Sequence, residues 1–140
     1  MNKKIVLLQG SFDIINSGHV RSFRRAKKLG DYLIVAVNSE ALHRSYKKRE
    51  PLMPYYEKKI ILESICWVDK VVKANHFSPL GLLKRYKVDV YMIAPNWLHT
   101  KSKEIAYMKS KGGKVRMLHY YKNVTHSSDV RRKLKSLGKL

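Results

Sequence analysis

The residues between positions 9 and 19 have the types and spacing that suit phosphate binding. Gly10 and Gly18 have no side chain, so a phosphate can approach the backbone closely at both positions. His19 lies at the predicted start of a helix, where unpaired amides and the positive end of the helix dipole stabilise an anion. A histidine at this position can also donate a ring N–H to a phosphate oxygen. The pattern predicts an anion-binding cradle between a strand and a helix.

Hydrophobic patterning predicts the two elements that must hold this cradle. Residues 4–9 contain a continuous apolar run, which is typical of a strand covered on both faces. Residues 20–29 form an amphipathic pattern, with Val20, Phe23, Ala26 and Leu29 on one face. Gly30 is predicted to be the C-terminal cap of this helix.

The rest of the chain continues the alternation of strands and helices. Further strands are predicted at residues 32–37, 70–72, 88–94 and 114–118, with a basic loop at 47–51. Helices are predicted at 54–66 (Ile60, Ile61 and Ile65 inward), at 79–86, at 103–111, and from a cap at Ser127 or Ser128. The order predicts an α/β fold: a single-domain, Rossmann-like, doubly wound parallel five-stranded sheet with helices on both faces. Ligands of such sheets bind at the carboxyl ends of the strands, and the first such end is the loop after Gln9.

The bulk composition excludes several classes of protein. The 140 residues suit one domain, and no apolar run approaches the roughly 20 residues that a membrane span needs. The apolar run near the N-terminus is too short for a signal peptide. Cys66 is the only cysteine, which excludes an internal disulfide and a cysteine-based zinc site and indicates a cytoplasmic protein. We expect Cys66 to be buried in the core and the dispersed histidines to lie on the surface; these are His43, His76, His99 and His119.

The formal net charge of +20 attracts polyanions in general. Nucleic acid, an acidic membrane surface and small phosphorylated ligands are all compatible with it. The basic residues are spread along the chain, and no aromatic-basic motif of an RNA-binding sheet is present. Solvated lysine-rich faces without any partner are an equal alternative, so the charge alone does not identify a partner.

The cradle also carries a resemblance to a known family. It reads Gly-Ser-Phe-Asp-Ile-Ile-Asn-Ser-Gly-His at residues 10–19. This resembles the signature Gly-Thr/Ser/Cys-Phe-Asp-x-x-His-x-Gly-His of the cytidylyltransferase-like nucleotidyltransferases. Residues 26–39, 49–51, 68–71 and 112–115 are also similar to that family. Within it, the chain resembles the glycerol-3-phosphate cytidylyltransferases and the nucleotidyltransferase domains of ADP-heptose synthases.

The resemblance implies an enzyme that transfers CMP from CTP, or AMP from ATP, to a phosphorylated polyol or sugar such as glycerol 3-phosphate. Pyrophosphate is released with the help of Mg²⁺ and no covalent enzyme intermediate forms. A cytoplasmic homodimer is implied as well. Two alternatives stay open: a non-catalytic or altered-specificity nucleotide-binding module, and a basic nucleic-acid-binding protein on the same scaffold.

The resemblance also assigns roles to residues of this chain. His19, Asn16 and Lys48 match catalytic positions, and His19 is expected to contact the α-phosphate. Nucleotide-binding positions match Gly10, Ser11, Phe12, Asp13, Gly18, Lys47, Ser127 and Ser128. No residue is predicted to bind a metal ion directly.

Three departures from the family pattern affect these expectations. Asn16 replaces the first histidine of His-x-Gly-His, and a neutral amide stabilises a leaving pyrophosphate less well than a protonatable ring. Residues 94–97 read Ala-Pro-Asn-Trp, where relatives have a carboxylate; we expect Trp97 to be a packing residue beside the cleft. The segment 121–128 lacks the arginine and glycine of its counterpart and offers Lys122 as a point charge instead.

Overall fold

The computed structural model describes residues 2–119 and 121–139 and contains a five-stranded, fully parallel sheet. The strands are β1 (Ile5–Gly10), β2 (Tyr32–Asn38), β3 (Lys70–Ala74), β4 (Val90–Ile93) and β5 (Lys114–Met117). The helices are α1 (Ser17–Lys27), α2 (Glu40–Lys47), α3 (Tyr55–Glu63), α4 (Leu80–Arg85), α5 (Ser102–Ser110) and α6 (Ser127–Ser136), with a short 3₁₀ helix at Pro95–Thr100. The predicted doubly wound parallel sheet is confirmed.

The strand order β3-β2-β1-β4-β5 puts β1 in the centre of the sheet. Leu7 of β1 lies opposite Ile34 of β2 on one side and Tyr91 of β4 on the other. Its neighbours Val6 and Leu8 are fully buried, as the continuous apolar run predicts for a strand covered on both faces. The direction of winding reverses at β1, so a crevice opens at its carboxyl end.

Each face of the sheet carries its own apolar core. On one face, α1 and α3 contribute Phe23, Ala26 and Leu62. On the other face, α2, α4 and α5 contribute Leu42, Leu83 and Met108. Two buried layers around one sheet hold the ends of the strands in fixed positions, and these ends form the floor of the crevice.

One helix was missing from the sequence-based expectation. The chain does not run as a loop after β2 but folds into α2, where the Ser39 side chain accepts from the Leu42 amide at 3.2 Å as an N-terminal cap. Only Leu42 and His43 of the eight residues are buried, so few apolar residues mark α2 in the sequence. The predicted loop at 47–51 begins only at the end of α2.

The inward face of α3 differs from the predicted one. Ile60 and Ile61 are 67% and 39% exposed, whereas Lys58 is 1% exposed and Leu62 is fully buried. The helix turns this face inward because the Lys58 ammonium bonds to the backbone of the cradle. Ile65 packs against the core as predicted. The prediction for Cys66 was wrong, since this thiol is exposed.

Two predicted helix caps are also corrected. Lys28, rather than Gly30, is the C-terminal cap of α1. Gly30 is required for a different reason, since a Cβ there would lie 2.6 Å from the Lys4 carbonyl oxygen. The N-terminal cap of α6 is His126, and Ser127 is already the first helical residue. Among the described helices, none is long and apolar enough to cross a membrane.

Candidate active site

A cavity of about 400 Å³ opens at the carboxyl end of β1. The sequence-predicted residues that line it are Gly10, Ser11, Phe12, Asp13, Asn16, Gly18, His19, Lys47 and Ser127. Residues that were not predicted also line it, among them Asn38, Tyr46, Arg49, Phe77, Lys101 and His126. The predicted cradle is therefore one wall of a larger site that also draws on the ends of β2, β3, β4 and β5.

Two predicted residues do not line this cavity. Lys48 is the left-handed C-terminal cap of α2 (φ 59°), and its ammonium donates to the Ser45 carbonyl at 3.0 Å. Lys47 and Arg49, on either side of it, do line the cavity. Ser128 is exposed, while the Ser127 hydroxyl donates to the Ile14 carbonyl at 3.1 Å and ties α6 to the cradle.

The cradle is shaped by Phe12 rather than by a left-handed glycine. Phe12 is the residue with positive φ (49°), and its buried ring folds back over Gly10. A Cβ at position 10 would lie 2.9 Å from the Phe12 ring, so Gly10 makes room for this ring. The ring packs against Phe23 and meets the His19 ring edge to face. A buried aromatic anchor thus holds the backbone of the cradle against α1.

Asn16 and His19 bond to each other in both directions at the start of α1. The His19 amide donates to Asn16 Oδ1 at 3.2 Å, and the Asn16 amide donates to His19 Nδ1 at 3.2 Å. Because Nδ1 accepts, the neutral ring carries its proton on Nε2. Burial and the adjacent His126 lower the pKa of His19 to about 4. His19 is therefore a neutral donor near pH 7 with its Nε2–H available.

Asp13 is the hub of a buried charge cluster. Its carboxylate, 4% exposed, contacts Arg49 at 3.2 Å, Lys58 at 3.6 Å and Arg131, and accepts from the Leu52 amide at 2.7 Å. Burial acts to raise the pKa of Asp13, but the bonds from Arg131 and Leu52 and the charges of Lys58 and Arg49 outweigh it and lower the pKa to about 2. This carboxylate therefore joins the cradle to the segment after α2, to α3 and to α6, and both of its oxygens are bonded to these groups.

Ser11 is oriented through His43 and Arg49. Arg49 Nη1 lies 3.2 Å from His43 Nε2, and His43 Nδ1 lies 2.7 Å from Ser11 Oγ. A guanidinium can only donate, so Nε2 accepts and the Nδ1–H donates to Ser11. The Ser11 hydroxyl proton then faces the Tyr46 hydroxyl, with which Ser11 shares a hydrogen bond, and it would have to turn from Tyr46 to reach a ligand. His43 is buried, so its predicted surface position was wrong, whereas His76, His99 and His119 are exposed as predicted.

The wall opposite α1 is an aromatic corner formed by Tyr46, Phe77 and Trp97. Their ring centres lie 5.1 to 6.1 Å apart, and Trp97 meets both other rings edge to face. Trp97 is thus a packing residue beside the cleft, as predicted. The Tyr46 hydroxyl accepts from Asn38 Nδ2 at 2.9 Å.

Lys101 supports this corner with a buried ammonium group. It donates to the Phe77 carbonyl at 2.8 Å and lies 3.7 Å from the centre of the Phe77 ring. Burial lowers the pKa of Lys101, and the buried Glu104 carboxylate acts to raise it. Sequence reasoning missed Lys101 because no local pattern marks a lysine that turns inward. Lys122, the point charge expected near α6, is exposed and does not line the cavity.

Comparisons with known proteins show which sequences this chain is similar to. Residues 7–133 match the family model described as cytidylyltransferase-like. The chain is 32% identical over 95 residues to glycerol-3-phosphate cytidylyltransferase of Bacillus subtilis, covering 67% of this chain and 73% of that protein. It is 31% identical over 137 residues to the bifunctional protein HldE of Yersinia enterocolitica, covering 97% of this chain but only 29% of HldE.

A solved structure shares the fold. The lipopolysaccharide core biosynthesis protein from Thermoplasma volcanium superposes with a TM-score of 0.75 at 20% identity. The match covers 86% of this chain and 99% of that one. At this identity the likeness concerns the fold alone.

Proposed function

The chain belongs to the cytidylyltransferase-like family, and from this premise we propose that it transfers CMP from CTP, or AMP from ATP, to a phosphorylated polyol or sugar, releasing pyrophosphate. The observation that carries the proposal is the placement of His19. It is a neutral donor at the N-terminus of α1, beside the backbone cradle of residues 10–12, and it lines the cavity at the carboxyl end of β1. Glycerol 3-phosphate is the first acceptor to test.

The proposed reaction is an in-line displacement at phosphorus. An oxygen of the acceptor's phosphate attacks the α-phosphorus of the nucleotide, and the bond from that phosphorus to the pyrophosphate oxygen breaks. Negative charge increases on the oxygens of the α-phosphate and on the leaving pyrophosphate. Catalysis then consists of positioning the reactants and stabilising this charge with fixed donors.

The described residues supply donors for both charges. His19 Nε2–H and the amides at the start of α1 would contact the α-phosphate, with the Ser11 hydroxyl as a further donor. Lys47 lines the cavity without an ion pair among the described residues and would stabilise the pyrophosphate. Arg49 is shared with Asp13, so we assign it mainly to holding the cradle.

Mg²⁺ belongs to this proposal as part of the substrate. Within residues 2–119 and 121–139, no group of three or more His, Cys, Asp or Glu side chains is placed to hold a metal ion. Asp13, the one carboxylate among the described residues that line the cavity, is engaged by three cations. The residues present do not form a metal site, so Mg²⁺ would enter bound to the oxygens of the triphosphate.

One observation supports a second candidate, a nucleotide-binding module without transferase activity. Asn16 stands in place of the first motif histidine, and its side-chain oxygen is committed to capping α1. Neither candidate requires contact with nucleic acid or a membrane.

Pyrophosphate release tests the proposal directly. The protein is incubated with Mg²⁺, CTP or ATP, and either glycerol 3-phosphate or a sugar phosphate. We expect turnover with one pair of substrates, and a loss of roughly two to three orders of magnitude in His19→Ala, as for removal of one charge-stabilising donor. His99→Ala, an exposed histidine outside the cavity, is the matched control and should keep full activity.

Thermal shift separates the two candidates. Stabilisation by a millimolar nucleoside triphosphate without any pyrophosphate release would favour the binding module. If no nucleoside triphosphate raises the melting temperature, both candidates are refuted.

A further inference from the structure

The aromatic corner is a wall of the cavity that the proposed phosphoryl transfer does not use. Tyr46 follows β2, Phe77 follows β3 and Trp97 follows β4, so the corner lies across the ends of three strands. His19, His126 and Ser127 lie toward α6 instead. The proposed function places the nucleotide at the cradle and α6, which would leave the corner for the part of the acceptor farthest from its phosphate.

The faces of clustered aromatic rings are a common binding site for ammonium cations. In this chain a lysine of the protein already occupies such a site. The Lys101 ammonium lies 3.7 Å from the centre of the Phe77 ring and is anchored by the Phe77 carbonyl at 2.8 Å. At 5% exposure, Lys101 lines the cavity without being a mobile surface lysine. A second cation at this ring would meet the positive charge of Lys101 at close range.

The counter-charge of Lys101 lies on the protein side. Glu104 is buried, does not line the cavity, and accepts from the Ser78 hydroxyl through Oε1. Its Oε2 has no hydrogen-bond partner in the described part of the chain, so its charge acts on Lys101 without being offered to a ligand. The other carboxylate near the cavity, Asp13, is engaged by three cations.

We infer that Lys101 is a specificity-determining residue that admits acceptors whose far end is uncharged or anionic and rejects phosphorylated amino alcohols. A protonated amine entering the corner meets a fixed ammonium and no available carboxylate among the described lining residues. An uncharged hydroxyl group at the same place is not repelled by the ammonium group and needs no carboxylate partner. This inference rests on the proposed function, because it treats the corner as part of the acceptor site.

A matched pair of small phosphates tests the inference without requiring turnover. 2-Hydroxyethyl phosphate and 2-aminoethyl phosphate differ only in a hydroxyl against an ammonium group at the far end. Their dissociation constants are measured by titration calorimetry on wild type, Lys101→Met, Lys101→Gln and Lys101→Arg. Lys103→Met, an exposed lysine in the first turn of α5, which Lys101 precedes, is the control. Melting temperatures show which variants are folded, and Lys101→Gln keeps a polar group if Lys101→Met does not fold.

We expect wild type, Lys101→Arg and Lys103→Met to bind the hydroxyl compound about 10-fold or more tightly than the amine. Lys101→Met or Lys101→Gln should lose most of this preference, because the face of Phe77 then becomes free for the amine. Equal binding of the two compounds by wild type, or a preference that survives in the neutral variants, would overturn the inference, as would no binding of either phosphate. Absence of pyrophosphate release alongside a Lys101-dependent preference would refute only the proposed transferase activity.

Discussion

At the start of α1, two side chains serve the fold and the proposed chemistry together. The reciprocal bonds between Asn16 and His19 cap the helix and fix the tautomer of His19. The ring is thereby aligned as a neutral donor before any ligand binds. The amide of Asn16 cannot carry the positive charge that a histidine could carry at this position. Asparagine at position 16 therefore caps the helix well but stabilises a leaving pyrophosphate poorly.

Replacing Asn16 separates these two roles. Because a protonatable imidazole stabilises the leaving pyrophosphate better than a neutral amide, Asn16→His should raise turnover about 10-fold, a gain of about 1.4 kcal/mol in the transition state. Asn16→Ala removes the cap, which costs about 1 kcal/mol of stability. Pyrophosphate release and urea unfolding of the three proteins measure both effects. If Asn16→Ala is as active as wild type, position 16 has no catalytic role and Lys47 is sufficient.

At the scale of elements, the Asp13 cluster connects segments that are distant in sequence. Arg49 follows α2, Lys58 lies in α3 and Arg131 lies in α6, and all three converge on one carboxylate after β1. Lys58 also donates to the Ser11 carbonyl at 3.0 Å, so α3 holds the backbone of the cradle directly. This arrangement makes the geometry of the cradle depend on contacts from the segment after α2, from α3 and from α6.

Breaking the cluster should destabilise the protein strongly. Asp13→Asn leaves buried cations without their counter-charge, and we expect a loss of about 3–5 kcal/mol in the free energy of unfolding. Lys58→Met should cost less, about 1–3 kcal/mol, since Asp13 keeps two arginines while the Ser11 carbonyl loses its donor. The double variant should lose less than the sum of the two. Urea unfolding measures all three, with the exposed neighbour Lys59→Met as the control. Strictly additive losses would show that Asp13 and Lys58 act independently.

These elements also show which parts of the fold can be predicted from sequence. β1 could be predicted from its continuous apolar run and α1 from the helical spacing of its apolar residues, and the cradle lies between them. The α2 helix buries only two residues and α3 presents a lysine to the core, so apolar residues alone did not reveal α2 or the inward face of α3. Within the site, local spacing identified the cradle. It could not identify Arg131, which lies 118 positions from Asp13, because only the tertiary fold brings the two together.

At the scale of the whole molecule, most of the acidic residues bond to the backbone, and among those that the structure describes only Asp13 and Glu104 are buried. Those that accept a hydrogen bond from a backbone amide are Asp13, Asp31, Glu40, Asp69, Asp89 and Asp129. Three of these bonds hold the starts of β1 and β2: the amides of Lys4, Ile5 and Leu33 donate to Asp31, Asp89 and Asp69, respectively. The sequence has only ten acidic residues against thirty lysines and arginines. Its net charge of +20 is therefore largely an unbalanced surface charge that repels itself.

This self-repulsion predicts that salt stabilises the protein. The exposed ion pairs, such as Arg44–Glu50, contribute little, and the buried Asp13 cluster is poorly screened, so screening mainly relieves repulsion. Raising NaCl from about 20 mM to about 300 mM shortens the screening length to below about 10 Å and should raise the melting temperature by several degrees. Sodium phosphate at equal ionic strength distinguishes screening from anion binding at the cradle. A further rise in phosphate that disappears in His19→Ala would indicate anion binding, while equal midpoints in both salts would indicate screening alone. A melting temperature that stays constant or falls with NaCl would show that attractive surface pairs outweigh the repulsion.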